Sequence, residues 1–197
     1  MGLPLRKDDR RYTYKDYCTW PEEERWELID GTAWNMSPAP NRAHQQVSFR
    51  LSGIIGDYIK NGPCEAYTAP FDVLLPWPDE LKEGDFASVV QPDISVICDP
   101  NKLTDKGCTG APDWIIEIIS PSTAAKDFNE KLRLYERHRV REYWIADPGN
   151  KYIYVYILNL DTEIFDEALI YEKTGEDVNV PSAVLRGLSV NLKEIFT

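Results

Sequence analysis

The stretch DWIIEIIS, from Asp113 to Ser120, decides the fold because it is strand-forming sequence with one glutamate at its centre. Four isoleucines and a tryptophan surround Glu117. Residues of this β-branched and aromatic kind predict a buried strand. A carboxylate inside such a strand costs free energy unless a partner or a bound ligand compensates its charge. Glu117 is therefore the first candidate for a functional residue.

The length and charge of the chain restrict what surrounds this strand. With 197 residues, the chain can build one hydrophobic core and is short for two. We expect a single domain, 1–197, with an approach segment at 1–25, a core at 26–160 and a C-terminal extension at 161–197. The net charge of -11 repels nucleic acid on average. A nucleic-acid-binding function would therefore need a local basic surface and a metal ion.

The cysteines and the N-terminus indicate the cellular compartment. None of the four cysteines forms a C-x-x-C pair, which argues against a zinc cluster. The start MGLPLRKDDRR runs straight into charged residues and lacks the pattern of a signal peptide. No apolar run reaches the roughly 20 residues that span a bilayer. These features predict a cytoplasmic protein with free thiols and no membrane partner.

Strands and helices alternate on both sides of the central stretch. An Asp-Gly turn in ELIDGTAWNM predicts an N-terminal hairpin, and apolar residues at helical spacing predict a helix over 43–60. Two segments predict strands, FDVLL and DISVIC, and PWPDELKEGDF between them predicts an excursion rich in proline and acidic residues. SPAPNR predicts a loop. A second helix at 124–138 precedes the strands EYWIA and KYIYVYIL, and further short strands follow. This order predicts an α/β or α+β fold with a central mixed sheet.

A second carboxylate lies on the strand before Glu117. Asp93 opens DISVIC, and two carboxylates on neighbouring strands can converge on one divalent cation. Oxygen ligands of this kind suit Mg²⁺ or Mn²⁺, and the cation would supply the counter-charge that Glu117 lacks. A lysine near a scissile phosphate usually lies two residues after the glutamate, but Ile119 occupies that position. The nearest candidates are Lys126 and Lys131 on the following helix.

Helical geometry distinguishes these two lysines. Phe128, Leu132 and Tyr135 recur at helical spacing and define the face that packs on the sheet. At about 100° per residue, Lys131 lies about 60° from Phe128, on the flank of that face. Lys126 points to the opposite side. We therefore expect Lys131 to reach the sheet and Lys126 to lie in solvent.

Glu117, Asp93 and Lys131 each also have a purely structural interpretation. Glu117 could be bridged to a buried lysine or arginine, and Asp93 could be a turn residue after proline. Lys131 could be an ordinary solvated helix residue.

The segment 126–141 carries six basic and three acidic residues, a local charge of +3. It could bind phosphates, or it could be a solvated face balanced by acidic groups elsewhere.

Four further residues are candidates for supporting roles. Asp127 precedes Lys131 by four residues, the spacing of a helical ion pair. His44 begins the core-facing stripe of the first helix and is either a base or substrate contact, or a satisfied buried histidine. Glu27 and Asp72 lie at the hairpin and in FDVLL. Each could join the acidic cluster, or simply pair with a surface arginine.

The ordered set of motifs resembles the Uma-two family of restriction-endonuclease-like proteins, within the PD-(D/E)XK nuclease superfamily. The matching pieces are ELIDG, MSPAP followed by His44, QPDISVI, EIISPST, the spacing of Asp127 and Lys131, and EYWIADP. The resemblance implies a restriction-endonuclease-like core with helices flanking the mixed sheet. It also implies Mg²⁺-dependent phosphodiester hydrolysis. Asp93, Glu117 and the backbone carbonyl of Ile118 would be the metal ligands, with Lys131 in the displaced lysine position.

Two function hypotheses follow from these residues and this resemblance. The first is a metal-dependent nuclease that hydrolyses DNA, working as a homodimer because one acidic domain of this size needs a partner surface to grip a duplex. The second is a non-catalytic binding or assembly module with a nuclease-like fold. The acidic charge and the missing lysine at Ile119 favour this second hypothesis.

Overall fold

Two six-stranded sheets and one long helix form the framework of the chain in its computed structural model. The structure describes residues 7–21, 24–36, 40–76 and 88–196. Residues 37–39 of the predicted loop SPAPNR and residues 77–86 of the predicted excursion PWPDELKEGDF lie outside these ranges. No helix in the described ranges is both long and apolar enough to cross a membrane.

The elements follow the predicted order, with more strands than expected. The strands are β1 (Trp26–Ile29), β2 (Thr32–Asn35), β3 (Glu65–Thr68), β4 (Asp72–Leu75), β5 (Ser88–Val90), β6 (Ile94–Ile97), β7 (Leu103–Thr104), β8 (Gly107–Thr109), β9 (Trp114–Ile118), β10 (Glu142–Asp147), β11 (Tyr152–Ile157), β12 (Leu169–Glu172), β13 (Asn179–Pro181) and β14 (Ser189–Asn191). The helices are α1 (Tyr14–Tyr17), α2 (Arg42–Ile59), α3 (Ala124–Lys126), α4 (Leu132–Arg137) and α5 (Leu192–Ile195), with a 3-10 turn at Pro100–Lys102 and a π-helical turn at Asp127–Lys131.

The central sheet has the strand order β12-β11-β10-β9-β6-β3. Strands β9 and β10 pair in parallel, while the other neighbours are antiparallel. The predicted mixed sheet with flanking helices is therefore confirmed. The parallel pair needs a long connection, which α3, the π turn and α4 supply. We call this connection, residues 124–137, the crossover helix.

The two faces of the central sheet bury different partners. One face packs against α2 through Val47, Leu51 and Ile55, together with the C-terminal elements β13, β14 and α5. The other face packs against the crossover helix through Leu134 and Tyr135. Because side chains alternate along a strand, successive residues of β9 point to these two faces in turn.

The predicted hairpin belongs to a second sheet, ordered β2-β1-β5-β4-β8-β7, which the sequence did not reveal. Its turn places Asp30 at φ 49 and Gly31 at φ 73, both in the left-handed region. Two-residue hairpin turns with positive φ at both positions match the twist of the paired strands, which explains the Asp-Gly pair. This sheet holds Glu27 on β1.

The expectation that all thiols are free is wrong. Cys64 and Cys98 form a disulfide. Cys64 precedes β3 and Cys98 follows β6, and the antiparallel register of these strands pairs their neighbours Glu65 and Ile97. Strand pairing between residues 34 apart in sequence therefore brings the two sulfurs together, which cysteine spacing alone does not indicate. Cys18 and Cys108 are free, the first exposed and the second buried.

Candidate active site

Glu117 points from β9 toward the crossover helix. Ile115 and Ile119 pack on that side of the sheet, and the period of two places Glu117 between them. Its side chain is buried, and its Oε1 accepts hydrogen bonds from Lys131 Nζ and from the hydroxyl of Tyr135, each at 2.8 Å. Lys131 thus reaches the glutamate from the crossover helix, although Ile119 fills the usual lysine position.

Asp93 lies directly opposite Glu117. In the antiparallel register Ile94 faces Ile116, so one further step places Asp93 across from Glu117. Directly opposed residues project to the same face of a sheet. Asp93 Oδ2 also accepts a hydrogen bond of 2.7 Å from the backbone N–H of Ile118. The two carboxylates therefore lie side by side at one end of the central sheet.

Glu27 is the hub of a buried ion cluster that links the two sheets. Its Oε1 lies 2.7 Å from Lys131 Nζ and accepts a hydrogen bond of 3.1 Å from the backbone N–H of Gln91. Its Oε2 is bonded to Lys126 Nζ. The sequence allowed two interpretations of Glu27, and the structure agrees with the one in which Glu27 joins the acidic cluster. Its partners are two buried lysines and not a surface arginine.

The prediction that Lys126 lies in solvent is wrong. This residue is 4 % exposed and bonded to Glu27. The reason is the π turn at Asp127–Lys131, in which i→i+5 hydrogen bonds add one residue to the helical turn. Residues five apart, such as Lys126 and Lys131, then lie on the same face of the helix. A regular α-helix would separate Lys126 and Lys131 by about 140°. The π turn instead directs both ammonium groups into the same cluster.

Asp127 completes the cluster. It is buried, and its Oδ1 lies 3.8 Å from Lys131 Nζ, which is an ion-pair contact beyond hydrogen-bond distance. Burial raises the pKa of Asp127 to about 6, against the opposing effect of Lys131 and Lys126. The predicted spacing of a helical ion pair is therefore present, inside the protein instead of on its surface.

The two central glutamates differ in how well their charge is compensated. Burial raises the pKa of Glu117 to about 8, although Lys131 opposes it, and Asp127 and Asp93 raise it further. Burial acts on Glu27 in the same direction, but Lys126 and Lys131 outweigh it and hold that pKa at about 2. Glu27 is thus an ionised counter-ion for the lysines, whereas the neighbouring lysine compensates the ionised form of Glu117 less well and burial favours the neutral carboxyl.

The structure separates the remaining two candidates. His44 Nε2 lies 3.2 Å from Asp93 Oδ2, so His44 belongs to the site. Its Nδ1 is buried without a hydrogen-bond partner in the described part of the chain. Asp72 lies outside the cluster, where it accepts hydrogen bonds from the side chain of Gln91 at 2.8 Å and the hydroxyl of Tyr17 at 3.3 Å.

An open cavity of about 810 Å³ lies over these groups. Asp93, Glu117 and Lys131 all line it, together with part of α2 and the loop 120–123. Both glutamates and both lysines of the ion cluster border the same cavity. A ligand in the cavity can therefore contact the carboxylates and ammonium groups directly.

Comparison with known proteins identifies the family to which the chain belongs. Residues 13–193 match the family described as "Uma2: Putative restriction endonuclease". The chain belongs to the Uma2 family. A relative of this Uma2 chain, an uncharacterized protein of Synechocystis sp., is 27% identical over 150 residues, which are 75% of this chain and 74% of the relative.

A solved structure extends the comparison of the Uma2 chain to its fold. The protein, from Anabaena variabilis, is described as "a putative nuclease belonging to DUF820". It superposes with a TM-score of 0.72 over 94% of this chain and 97% of that chain, at 21% sequence identity. The two proteins therefore share the same overall fold.

The basic segment of this Uma2 protein is largely neutralised by ion pairs. Arg139 lies 2.6 Å from Glu163, Arg141 lies 3.0 Å from Asp113, and Arg137 is also paired with an aspartate. The structure therefore favours the second interpretation of the +3 segment, a solvated face balanced by acidic residues from elsewhere in the chain.

The donor groups at the site fit one kind of divalent cation. Across the described ranges, no three His, Cys, Asp or Glu side chains are gathered as ligands of one metal ion. That disfavours a cage made only of protein side chains. Mg²⁺ is commonly held by one or two carboxylates and keeps several waters. The opposed pair of Asp93 and Glu117 matches that requirement.

The sequence did not identify two residues that donate hydrogen bonds to the glutamates of the site, Tyr135 to Glu117 and Gln91 to Glu27. Tyr135 was assigned only to the packing face of the helix, but its hydroxyl donates to Glu117. The amphipathic character of tyrosine was the available signal, because a buried hydroxyl needs a partner. Gln91 had no signal in sequence, since its role depends on its backbone N–H lying beside Glu27.

Proposed function

We propose that this Uma2 protein is a metal-dependent nuclease that hydrolyses phosphodiester bonds of DNA. The observation that carries the proposal is the convergence of Asp93, Glu117 and Lys131 at one cavity, with Ile119 in the usual lysine position. These groups come from two strands and a crossover helix. Family membership and the shared fold support the same activity.

Asp93, Glu117 and the backbone carbonyl of Ile118 would hold Mg²⁺ or Mn²⁺. Four carboxylates and two ammonium groups meet at the site, which leaves an excess of two negative charges when all four carboxylates are ionised and His44 is neutral. A divalent cation matches that excess. When bound, such an ion polarises a phosphoryl oxygen and lowers the pKa of a coordinated water.

Lys131 acts as a fixed positive charge. Burial alone lowers its pKa, but Glu117, Glu27 and Asp127 outweigh burial and raise the pKa well above its usual value. The group therefore stays protonated at neutral pH and does not serve as a general base. An ammonium has three donors, and two of them bond Glu117 and Glu27. The third can bind a phosphate oxygen or orient the attacking water.

Glu27 and Lys126 position Lys131 without touching the substrate phosphate in this proposal. Glu27 holds Lys131 through one carboxylate oxygen and Lys126 through the other. Gln91 directly follows β5, and its backbone N–H donates a hydrogen bond to Glu27 that fixes this carboxylate. These bonds limit the movement of the ammonium group, and fixed charges stabilise developing negative charge more effectively than mobile ones.

Removing the His44 imidazole should weaken metal binding and cleavage. His44 lies 3.2 Å from Asp93 and orients the carboxylate that would bind the ion. Groups that orient a metal ligand typically contribute about 10–100-fold in affinity or activity. We expect a loss of that size in His44→Ala, and partial recovery in His44→Gln. Equal cleavage rates for wild type and His44→Ala would contradict this role.

A homodimer and a cytoplasmic location are further parts of the proposal. The dimer is supported by the net charge of -11, because one acidic domain of this size offers little surface for binding a duplex. Sedimentation velocity at micromolar concentration measures the mass of the assembly. A single species of twice the chain mass would support the dimer, and a monomer throughout the concentration range would reject it.

The direct test is a cleavage assay on supercoiled plasmid and on single-stranded DNA. We expect cleavage with Mg²⁺ or Mn²⁺ and none in EDTA. The products should carry a 5′-phosphate and a 3′-hydroxyl, as the superfamily resemblance implies. If neither substrate is cleaved with either ion, the catalytic proposal fails, and the non-catalytic binding module takes its place.

A further inference from the structure

Phe49 is an apolar side chain in an unusual position. It is 81 % exposed, the largest value among the exposed large apolar side chains that the structure describes. A single exposed apolar residue needs no explanation by itself. Phe49, however, lies on α2 and lines the cavity above Asp93 and Glu117. A ligand of the site would therefore meet an aromatic ring before it reaches the carboxylates.

The rest of that wall is polar but uncharged. Asn41, Gln45, Ser48 and Ser52 line the cavity at helical spacing around Phe49. Amide and hydroxyl groups donate and accept hydrogen bonds, as the edges of nucleobases do. Apart from the imidazole of His44, every residue of α2 that lines the cavity is neutral. This wall suits bases better than phosphates.

The charges around the cavity do not suit a duplex. Its lining carries three cationic and four anionic side chains, a net charge of -1 with His44 neutral: Arg25, Lys126 and Lys131 against Glu27, Asp93, Glu117 and Asp127. Duplex binding depends on many contacts from cationic side chains to phosphates. The arginines at 137–141 are already in ion pairs. Single-strand binding also draws affinity from the stacking of bases on aromatic side chains, which does not depend on phosphate contacts.

The size of the cavity also favours a single strand over a duplex. A volume of about 810 Å³ falls in the range of pockets for small ligands, which is room for a short stretch of one strand. Glu117 lies deep in that cavity, at 4 % exposure. A phosphate must therefore enter the cavity to reach it, which a flexible unpaired strand does more readily than a duplex.

We infer that the cavity accepts single-stranded nucleic acid, with a base stacked on Phe49 and the adjoining phosphate directed toward Asp93 and Glu117. The inference rests on the proposed nuclease function and names its substrate class. Arg25, which also lines the cavity and bonds the side chain of Gln91 at 3.4 Å, would contact the strand's backbone. Such a substrate fits within the cavity of one chain.

Fluorescence anisotropy with labelled 12-nucleotide strands tests the inference. The full chain is titrated against a single strand and against the same sequence as a duplex, with Ca²⁺ replacing Mg²⁺ to preserve the DNA. We expect the single strand to bind at least about 10-fold more tightly, and Phe49→Ala to weaken it by about 10-fold. Phe49→Trp should retain binding, and Leu160→Ala, an exposed apolar control outside the cavity lining, should leave it unchanged.

The outcomes separate this inference from the proposed catalysis. Equal or tighter binding of the duplex overturns the inference, as does an unchanged affinity in Phe49→Ala. Mg²⁺-dependent cleavage that persists in either of those cases leaves the nuclease proposal intact. Phe49-dependent binding of single strands without cleavage in Mg²⁺ or Mn²⁺ supports the inference about the surface and rejects catalysis.

Discussion

Replacing Glu117 with glutamine, or Lys131 with alanine, is expected to slow Mg²⁺-dependent DNA cleavage by at least about 100-fold. Glutamine keeps the size of the side chain but removes one of the two charges that would hold the cation. Alanine removes the ammonium group that lies 2.8 Å from Glu117 and faces the cavity. The measurement is the initial rate of cleavage of single-stranded DNA at saturating Mg²⁺.

Two variants outside the cavity provide matched controls for this loss. Asp72→Asn changes a carboxylate that bonds Gln91 and Tyr17, and Lys60→Ala removes an exposed lysine from the end of α2. Both should cleave at nearly the wild-type rate. Thermal unfolding shows whether each variant is folded. Undiminished cleavage by folded Glu117→Gln and Lys131→Ala would exclude these residues from catalysis.

Replacing Glu27 with alanine is expected to lower the free energy of unfolding by about 3–5 kcal/mol. Lys126 and Lys131 would lose the carboxylate that bonds both of them, and they would remain buried. An unpaired charge in the interior costs more than the pair itself contributes. Urea denaturation at pH 7 measures the change. Glu163→Ala, which breaks the exposed pair with Arg139, should cost less than about 1 kcal/mol.

A double mutant and the pH dependence sharpen the test of Glu27. Lys126→Met in the Glu27→Ala background removes one unpaired charge, so the double mutant should lose less than the sum of the two single losses. The folded pKa of Glu27, about 2, lies below its ordinary value. Its stabilising contribution is therefore complete above pH 4.5 and is lost as the pH falls through about 2. A cost for Glu27→Ala like that for Glu163→Ala would contradict a buried cluster.

The strands around Glu117 were predictable because local sequence determines them. β-branched residues and a period of two indicate β9 and β6, and an Asp-Gly pair indicates the hairpin of β1 and β2. The isolated charge of Glu117 signalled an unusual environment for the same reason. A lysine on the crossover helix could also be selected by geometry, since Lys131 lies on the flank of the packing face in an α-helix.

The position of Lys126 could not be predicted, because it depends on one extra residue in a helical turn. No propensity in residues 124–138 distinguishes a π turn from an α-helical one, and the helical wheel therefore placed Lys126 on the wrong side. Glu27 shows a related limit. Its partners lie 99 and 104 residues away in sequence (126 − 27 and 131 − 27), in elements that only the tertiary fold brings together.

Calorimetric titration of Mn²⁺ tests the central claim, that Asp93 and Glu117 together hold a divalent cation. We predict that the wild-type chain binds one ion and that Asp93→Asn weakens binding by at least about 10-fold, because one of two charged ligands is lost. Asp72→Asn, a carboxylate change outside the cavity lining, should bind like the wild type. If Asp93→Asn binds Mn²⁺ with unchanged affinity, the site proposed from Asp93 and Glu117 is wrong.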